Sequence, residues 1–130
     1  MINWIKRLFK PPVDKTELKI KELFQFLFDD YGFSYINTDL GNLVDKNGKL
    51  IFYGPLNAYQ IYNDNLCINI VILVQRNDCD IYITEKQSVD QHYIFDGMSL
   101  SSSFAYNLPL FASQVKSELL DSKTIFGKRI

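Results

Sequence analysis

The chain has 130 residues, 47% hydrophobic and 22% charged, with a formal net charge of −1; this length suits one domain and the composition excludes long disorder. The charge is uneven: residues 1–28 carry +3, residues 29–96 carry −6 and residues 97–130 carry +2, and the acidic middle disfavours binding to a phosphate backbone. Two cysteines and a single histidine leave no ligand set for zinc, and no stretch approaches the roughly 20 apolar residues that span a bilayer.

The first ten residues place Trp4, Ile5, Leu8 and Phe9 on one helical face, opposite Lys6, Arg7 and Lys10. That pattern suits a short interfacial helix on anionic lipid. It equally suits an arm (residues 1–13) that packs its Trp and Phe on the domain, which is the reading adopted, or one that binds a partner. The segment lacks the apolar run of a secretory signal, so cytoplasmic residence without stable membrane insertion is expected. Pro11-Pro12 ends any helix begun there. Asp14 caps the next one, with Glu17 three residues on. Ile20, Leu23, Phe24, Leu27, Phe28 and Tyr31 form one apolar stripe, and Gly32 suits a left-handed stop, which predicts a helix over about 14–31.

The middle reads as an antiparallel meander. Phe33–Ile36 is a short strand. Leu43-Val44 and Lys49–Tyr53 flank Asp45-Lys46-Asn47-Gly48, where Asn-Gly supplies the positive φ angles of a tight hairpin. Strands over 57–63 and 66–75 flank Asp64-Asn65, residues 79–85 follow, and a last strand over about 91–95 ends at Asp96-Gly97. In the 66–75 strand, Leu66, Ile68, Ile70, Ile72 and Val74 line one face, and Cys67, Asn69, Val71, Leu73 and Gln75 line the other. An apolar face covered by helices and a mixed, partly open face follow from this alternation. Cys67 and Cys79 fall on neighbouring strands, where a disulfide is geometrically open but reduced thiols are the expected state.

Asn107 is placed to cap a second helix, Pro109 falls in its first turn, and Leu108, Phe111, Ala112, Val115 and Leu119 make its stripe. Residues 122–130, with Lys123, Lys128 and Arg129, read as a mobile basic tail. The fold class is therefore α+β. A single two-layer domain over 14–121 would carry an antiparallel meander of five or six strands, with an N-terminal and a C-terminal helix on one face.

Candidate chemistry is sparse. Asp90 and His92 stand two apart and would share a strand face, so the carboxylate could orient the imidazole of a small enzyme. Ser99, Ser101, Ser102 and Ser103 follow, but none sits in a nucleophile-elbow context. The six glycines lack the spacing of a phosphate-binding loop. No catalytic residue, metal or cofactor is assigned, and Asp90 with His92 is read as an ordinary strand-edge pair.

The acidic centre is more suggestive. Asp45, Asp64, Asp78 and Asp96 fall at predicted turns, where Asp bonds local backbone. Asp80, Tyr82 and Thr84 occupy the outward face of a strand whose inward residues are Ile81 and Ile83, and Tyr62 is likewise outward. Carboxylates mixed with exposed Tyr suit a basic protein partner. Tyr62, Asp64, Asp78, Asp80, Tyr82 and Glu85 are the predicted contact residues. The mixed Cys67/Asn69/Val71/Leu73 face also admits a homodimer.

The stretch Asp45–Pro55 and the strand pair Cys67–Gln75 and Cys79–Glu85 resemble the small immunity proteins of bacterial contact-dependent inhibition and polymorphic toxin systems. The resemblance covers the central third of the chain and carries over no contact residue. It implies a compact, non-enzymatic, cytoplasmic protein that neutralises a cognate toxin by binding it. A basic nuclease is the expected target.

Overall fold

The computed structural model describes residues 15–39, 43, 44, 47, 50–52, 56–73, 77–86, 88 and 90–130. The N-terminal arm, the Asp14 cap and Gly48 of the Asn-Gly turn lie outside them. The elements in order are α1 (Lys15–Leu23), α2 (Gln25–Asp30), β1 (Ser34–Asp39), β2 (Leu43–Val44), β3 (Leu50–Phe52), β4 (Leu56–Tyr62), β5 (Leu66–Leu73), β6 (Asp78–Glu85), β7 (Gln91–Ser99), α3 (Phe104–Ser122), β8 (Thr124–Ile125) and β9 (Lys128–Arg129). Five strands make one antiparallel sheet, ordered β1-β4-β5-β6-β7. The β2–β3 hairpin forms, but as a separate two-stranded sheet inserted between β1 and β4 rather than as part of the meander.

Alternation sets the two faces. The register aligns Ile61, Ile68 and Ile83 in one row and Tyr59, Ile70 and Ile81 in the next, and all six are buried. Each fully buried aliphatic side chain contributes about 1.5–3 kcal/mol relative to exposure, and a one-residue slip would turn the whole set to solvent. Ile20, Phe24 and Leu27 from the N-terminal helices and Leu108, Phe111, Val115 and Leu119 from α3 close this face into one core. Phe24 meets Phe111 edge-on with centroids 5.8 Å apart. Both helical layers therefore cover the same face, as the apolar stripes predict.

Four local expectations are corrected. The helix over 14–31 is two helices: Phe24 sits at φ −106°, ψ 14°, receives the last α-helical turn through its N–H to the Ile20 carbonyl, and offers its own carbonyl to the Leu27 N–H at 2.9 Å. No Gly or Pro marks this break. Its reason is tertiary, because the bend lets Ile20, Phe24 and Leu27 all reach zero exposure. Gly32 does end the second helix at φ +70°, and the Phe33 N–H returns to the Leu27 carbonyl at 3.1 Å.

The last sheet strand does not stop at Asp96-Gly97 but runs to Ser99. The pairing jumps from Cys79↔Met98 to Ile81↔Phe95, which leaves Asp96 and Gly97 opposite Asp80 alone. Gly97 takes φ +74° and donates its N–H to the Asp80 carboxylate at 2.7 Å. A bulge, rather than a turn, uses the glycine.

The C-terminal helix starts at Phe104, not at an Asn107 cap. The Asn107 N–H already bonds the Ser103 carbonyl, its side-chain amide reaches Met98 Sδ, and Pro109 lies inside the helix, where it removes one backbone bond. The expected mobile tail is a hairpin. β8 pairs with β9 across Phe126-Gly127, both at positive φ (49° and 79°), the pattern of a type I′ turn. Ile125 is fully buried, and Phe126 stacks on Phe111 at 5.7 Å. The Glu118 carboxylate accepts from the Thr124 hydroxyl and the Gly127 N–H. Lys128 pairs with Glu85 at 2.7 Å, and the Ile130 carbonyl accepts from the Asn65 amide.

Candidate functional site

No described helix packs on the second face of the sheet. From β1 to β7 it presents Ile36, Gln60 and Tyr62, Cys67 and Asn69, Tyr82 and Thr84, and Gln91 and Tyr93. Ile36 is 46% exposed, Tyr62 39% and Tyr93 44%, whereas Asn69 is only 3% exposed. Tyr82 packs against Tyr93 with centroids 5.1 Å apart. A central strand otherwise made of Ile, Leu, Val and one Cys thus buries one amide in the middle of its open face.

Asn69 organises its surroundings. Its Nδ2 donates to the backbone carbonyls of Cys67 and Tyr82 and to Thr84 Oγ1. Carbonyl oxygens only accept, so the nitrogen is fixed on that side and Oδ1 must face β4. There it accepts from Gln60 Nε2 at 2.8 Å and from the Cys67 thiol at 3.4 Å. Gln60 is oriented in turn, and its Oε1 is the atom that Asn69 does not engage. Burial pushes the Cys67 thiol up to about 11 despite the Thr84 hydrogen bond, so it is a neutral floor group and not a nucleophile at physiological pH.

At the β4–β5 turn this floor opens into a depression of about 460 Å³, lined among others by Ile36, Gln60, Tyr62, Asp64, Thr84 and Glu85. Asn63 shapes its end, its side-chain oxygen accepting from the N–H groups of Asn65 and Leu66. A second depression of about 320 Å³ lies on the other side of Tyr62 and Asp64. With Asn63 and Asn65 these two residues line both depressions and form the ridge between them.

The six predicted contact residues are only partly brought together. Tyr62 and Asp64 share the ridge, and Glu85 lines the larger depression. By register, however, Glu85 opposes Leu66 and stands on the helix side of the sheet end, where Lys128 holds it. Tyr82 lies mid-face. Asp80 is also on this face, but one oxygen is committed to Gly97. Asp78 opposes Leu73 at the far end of β6, about 20 Å from the depression at the rise of an extended strand. Asp78 and Asp96 lie in strands, not in the turns expected for them. Sequence reasoning missed Ile36, Gln60 and Tyr93 as surface partners of Tyr62 and Tyr82, because only the register makes them neighbours. The signal for Asn69 was present as the lone amide in an apolar strand.

Tyr82 and Tyr93 stay neutral phenols. Burial raises Tyr82, assisted by Tyr93, Cys67 and Asp80, and Tyr93 is raised by burial and by the charges of Asp80 and Asp96. Asp90 precedes β7, so it does not share the strand with His92. Its N–H bonds Ser88, while the exposed His92 ring lies 6.4 Å from that of Phe126. Among the described residues no hydrogen bond joins Asp90 to His92. The serines after β7 hold the Asn77 turn, with Asn77 Nδ2 donating to Ser101 at 2.8 Å and Leu100 N–H donating to the Asn77 carbonyl.

Cys67 and Cys79 are free and lie on opposite faces of the sheet, Cys67 opposite Tyr62 and Thr84, Cys79 opposite Ile72 and Met98. No disulfide can join them. Among the described residues no cluster of three His, Cys, Asp or Glu is placed to hold a metal ion, and no helix is long and apolar enough to cross a membrane. No protein-family model, curated protein or solved structure matches this chain.

Proposed function

We propose that this chain is a non-enzymatic binding protein of the bacterial immunity type, which acts in the cytoplasm and neutralises a cognate toxin, a basic nuclease, by covering its active site. The observation that carries the reading is the open sheet face, where half-exposed Tyr62 and Tyr93, Ile36 and the half-buried Tyr82 stand among carboxylates. Apolar and aromatic surface that no described element covers is costly to leave in water and is characteristic of a binding face. Tyr offers large rigid area at low entropic cost. The surrounding carboxylates speed encounter with a cationic surface and stand in for the phosphates a nuclease binds.

The reading predicts a nanomolar or tighter complex that weakens with salt. Affinity capture from native-host lysate, followed by titration of the purified partner in a calorimeter, tests it. Tyr62→Ala and Tyr82→Ala should each cost about 2 kcal/mol of binding, with the fold intact by circular dichroism. A partner whose affinity ignores both substitutions, or a chain that stays alone in its native lysate, overturns the reading.

A further inference from the structure

We infer that the depression beside Tyr62 is a socket for an arginine side chain of the protein partner. This rests on the binding reading above and names the group that the face is built to receive. The hydrogen bonds through Asn69 leave one orientation for Gln60: its Nε2 is held by Asn69 Oδ1, and its Oε1 points away with no partner among the described residues. The socket therefore presents a fixed carbonyl acceptor in its wall. Asp64 stands on the ridge at the β4–β5 turn, exposed and in no ion pair among the described residues. Glu85 lines the depression from the strand end, but Lys128 holds its carboxylate on the helix side of the sheet, which leaves Gln60 and Asp64 as the acceptors of the socket. Between them the half-exposed Tyr62 ring and the Ile36 side chain give an apolar wall.

A guanidinium meets all of these demands at once. It carries only donors, it is planar and stacks on aromatic faces, and its stem covers apolar surface. An ammonium has the charge but lacks the flat, forked set of donors. A carboxylate or phosphate would face the Gln60 carbonyl and the Asp64 carboxylate, both of which only accept. Lys86 sits on the rim, so bulk negative potential alone does not define the ligand. The orientation of acceptors around an aromatic wall does.

The test uses the full chain and small probes, so it does not depend on identifying the partner. N-acetyl-arginine amide is titrated into isotope-labelled protein, with N-acetyl-citrulline amide as the neutral isostere and N-acetyl-lysine amide as the point charge. Saturable shifts of the Gln60 and Asn69 side-chain amides and of the 62–67 and 84–86 backbone are expected for the arginine probe, in the millimolar range of a single anchored side chain. The citrulline and lysine probes should bind at least about three-fold more weakly, as should the arginine probe to Tyr62→Ala and Asp64→Asn. These residues are exposed, so both variants should fold. No saturable shift for arginine, equal shifts for citrulline, or shifts spread over the acidic surface near Asp78 and Asp96 would each overturn the socket. Any of these leaves the binding reading to its own capture experiment.

Discussion

Replacing Ile125 by Ala probes the largest difference between an expected tail and an observed hairpin. Ile125 has zero exposure although it lies five residues from the end of the chain. Its side chain belongs to the same core cluster as Phe111, Leu119 and Ile83. Truncation removes three buried carbon groups and leaves a void that the hairpin can only partly collapse, because Gly127, Lys128 and Ile130 are tied to Glu118, Glu85 and Asn65. Core changes of this kind cost about 2–4 kcal/mol. For a domain of this size each kcal/mol is worth roughly 3–5 °C in Tm, so a fall on the order of 10 °C is expected. Urea unfolding should show a lower midpoint with an unchanged slope. Leu120→Ala, at a position 74% exposed, is the matched control and should stay within about 0.5 kcal/mol of the parent. If Ile125→Ala unfolds like that control, residues 123–130 are a fraying appendage and the argument for a latched hairpin fails.

Three further outcomes follow from the same contacts. Desolvation pushes the Glu118 carboxyl up, but the Gly127 N–H, the Thr124 hydroxyl and the Phe126 N–H bring it below the usual 4.5. Its contribution to stability is then complete above 4.5 and lost as pH falls through the lower native value; the Gly127 amide resonance should titrate in that range, and Glu118→Gln should abolish the titration. Burial holds the Cys67 thiol near 11, and burial followed by the Asp80 charge holds Cys79 near 12, so a disulfide-exchange reagent at neutral pH should label Cys67 far more slowly than a free thiol and Cys79 only on unfolding. Fast labelling of either would show that the sheet opens. Asn69→Asp turns a carboxylate toward the Cys67 and Tyr82 carbonyls and should cost about 3 kcal/mol or more by chemical denaturation, whereas a loss under 1 kcal/mol would contradict the network drawn around it.

Much of the fold could be read before any coordinates. Alternation of Leu66, Ile68, Ile70 and Ile72 identified the central strand and its inward face, because the period of two is a local property of an extended chain. The stripes Ile20–Phe24–Leu27 and Leu108–Phe111–Val115–Leu119 identified what covers that face for the same reason, with a period of 3.6. Gly32 was legible as a stop because few other residues take a left-handed φ cheaply. Of the site, Tyr62 and Tyr82 could be named as outward, since each neighbours an inward isoleucine.

What the chain alone could not specify depends on pairs distant in sequence. The break at Phe24 serves Phe111, which lies 87 residues further on. The continuation of β7 through Gly97 depends on Asp80 across the bulge. The C-terminal hairpin has little hydrophobic pattern of its own, and its order comes from Glu118, Glu85, Asn65 and the Phe111 ring. The depression at the β4–β5 turn exists only because register sets Gln60 against Asn69 and Asn69 against Tyr82. Local periodicity follows from backbone geometry within a few residues, but register and docking are fixed by the best packing among all the elements at once, and only the assembled core selects them.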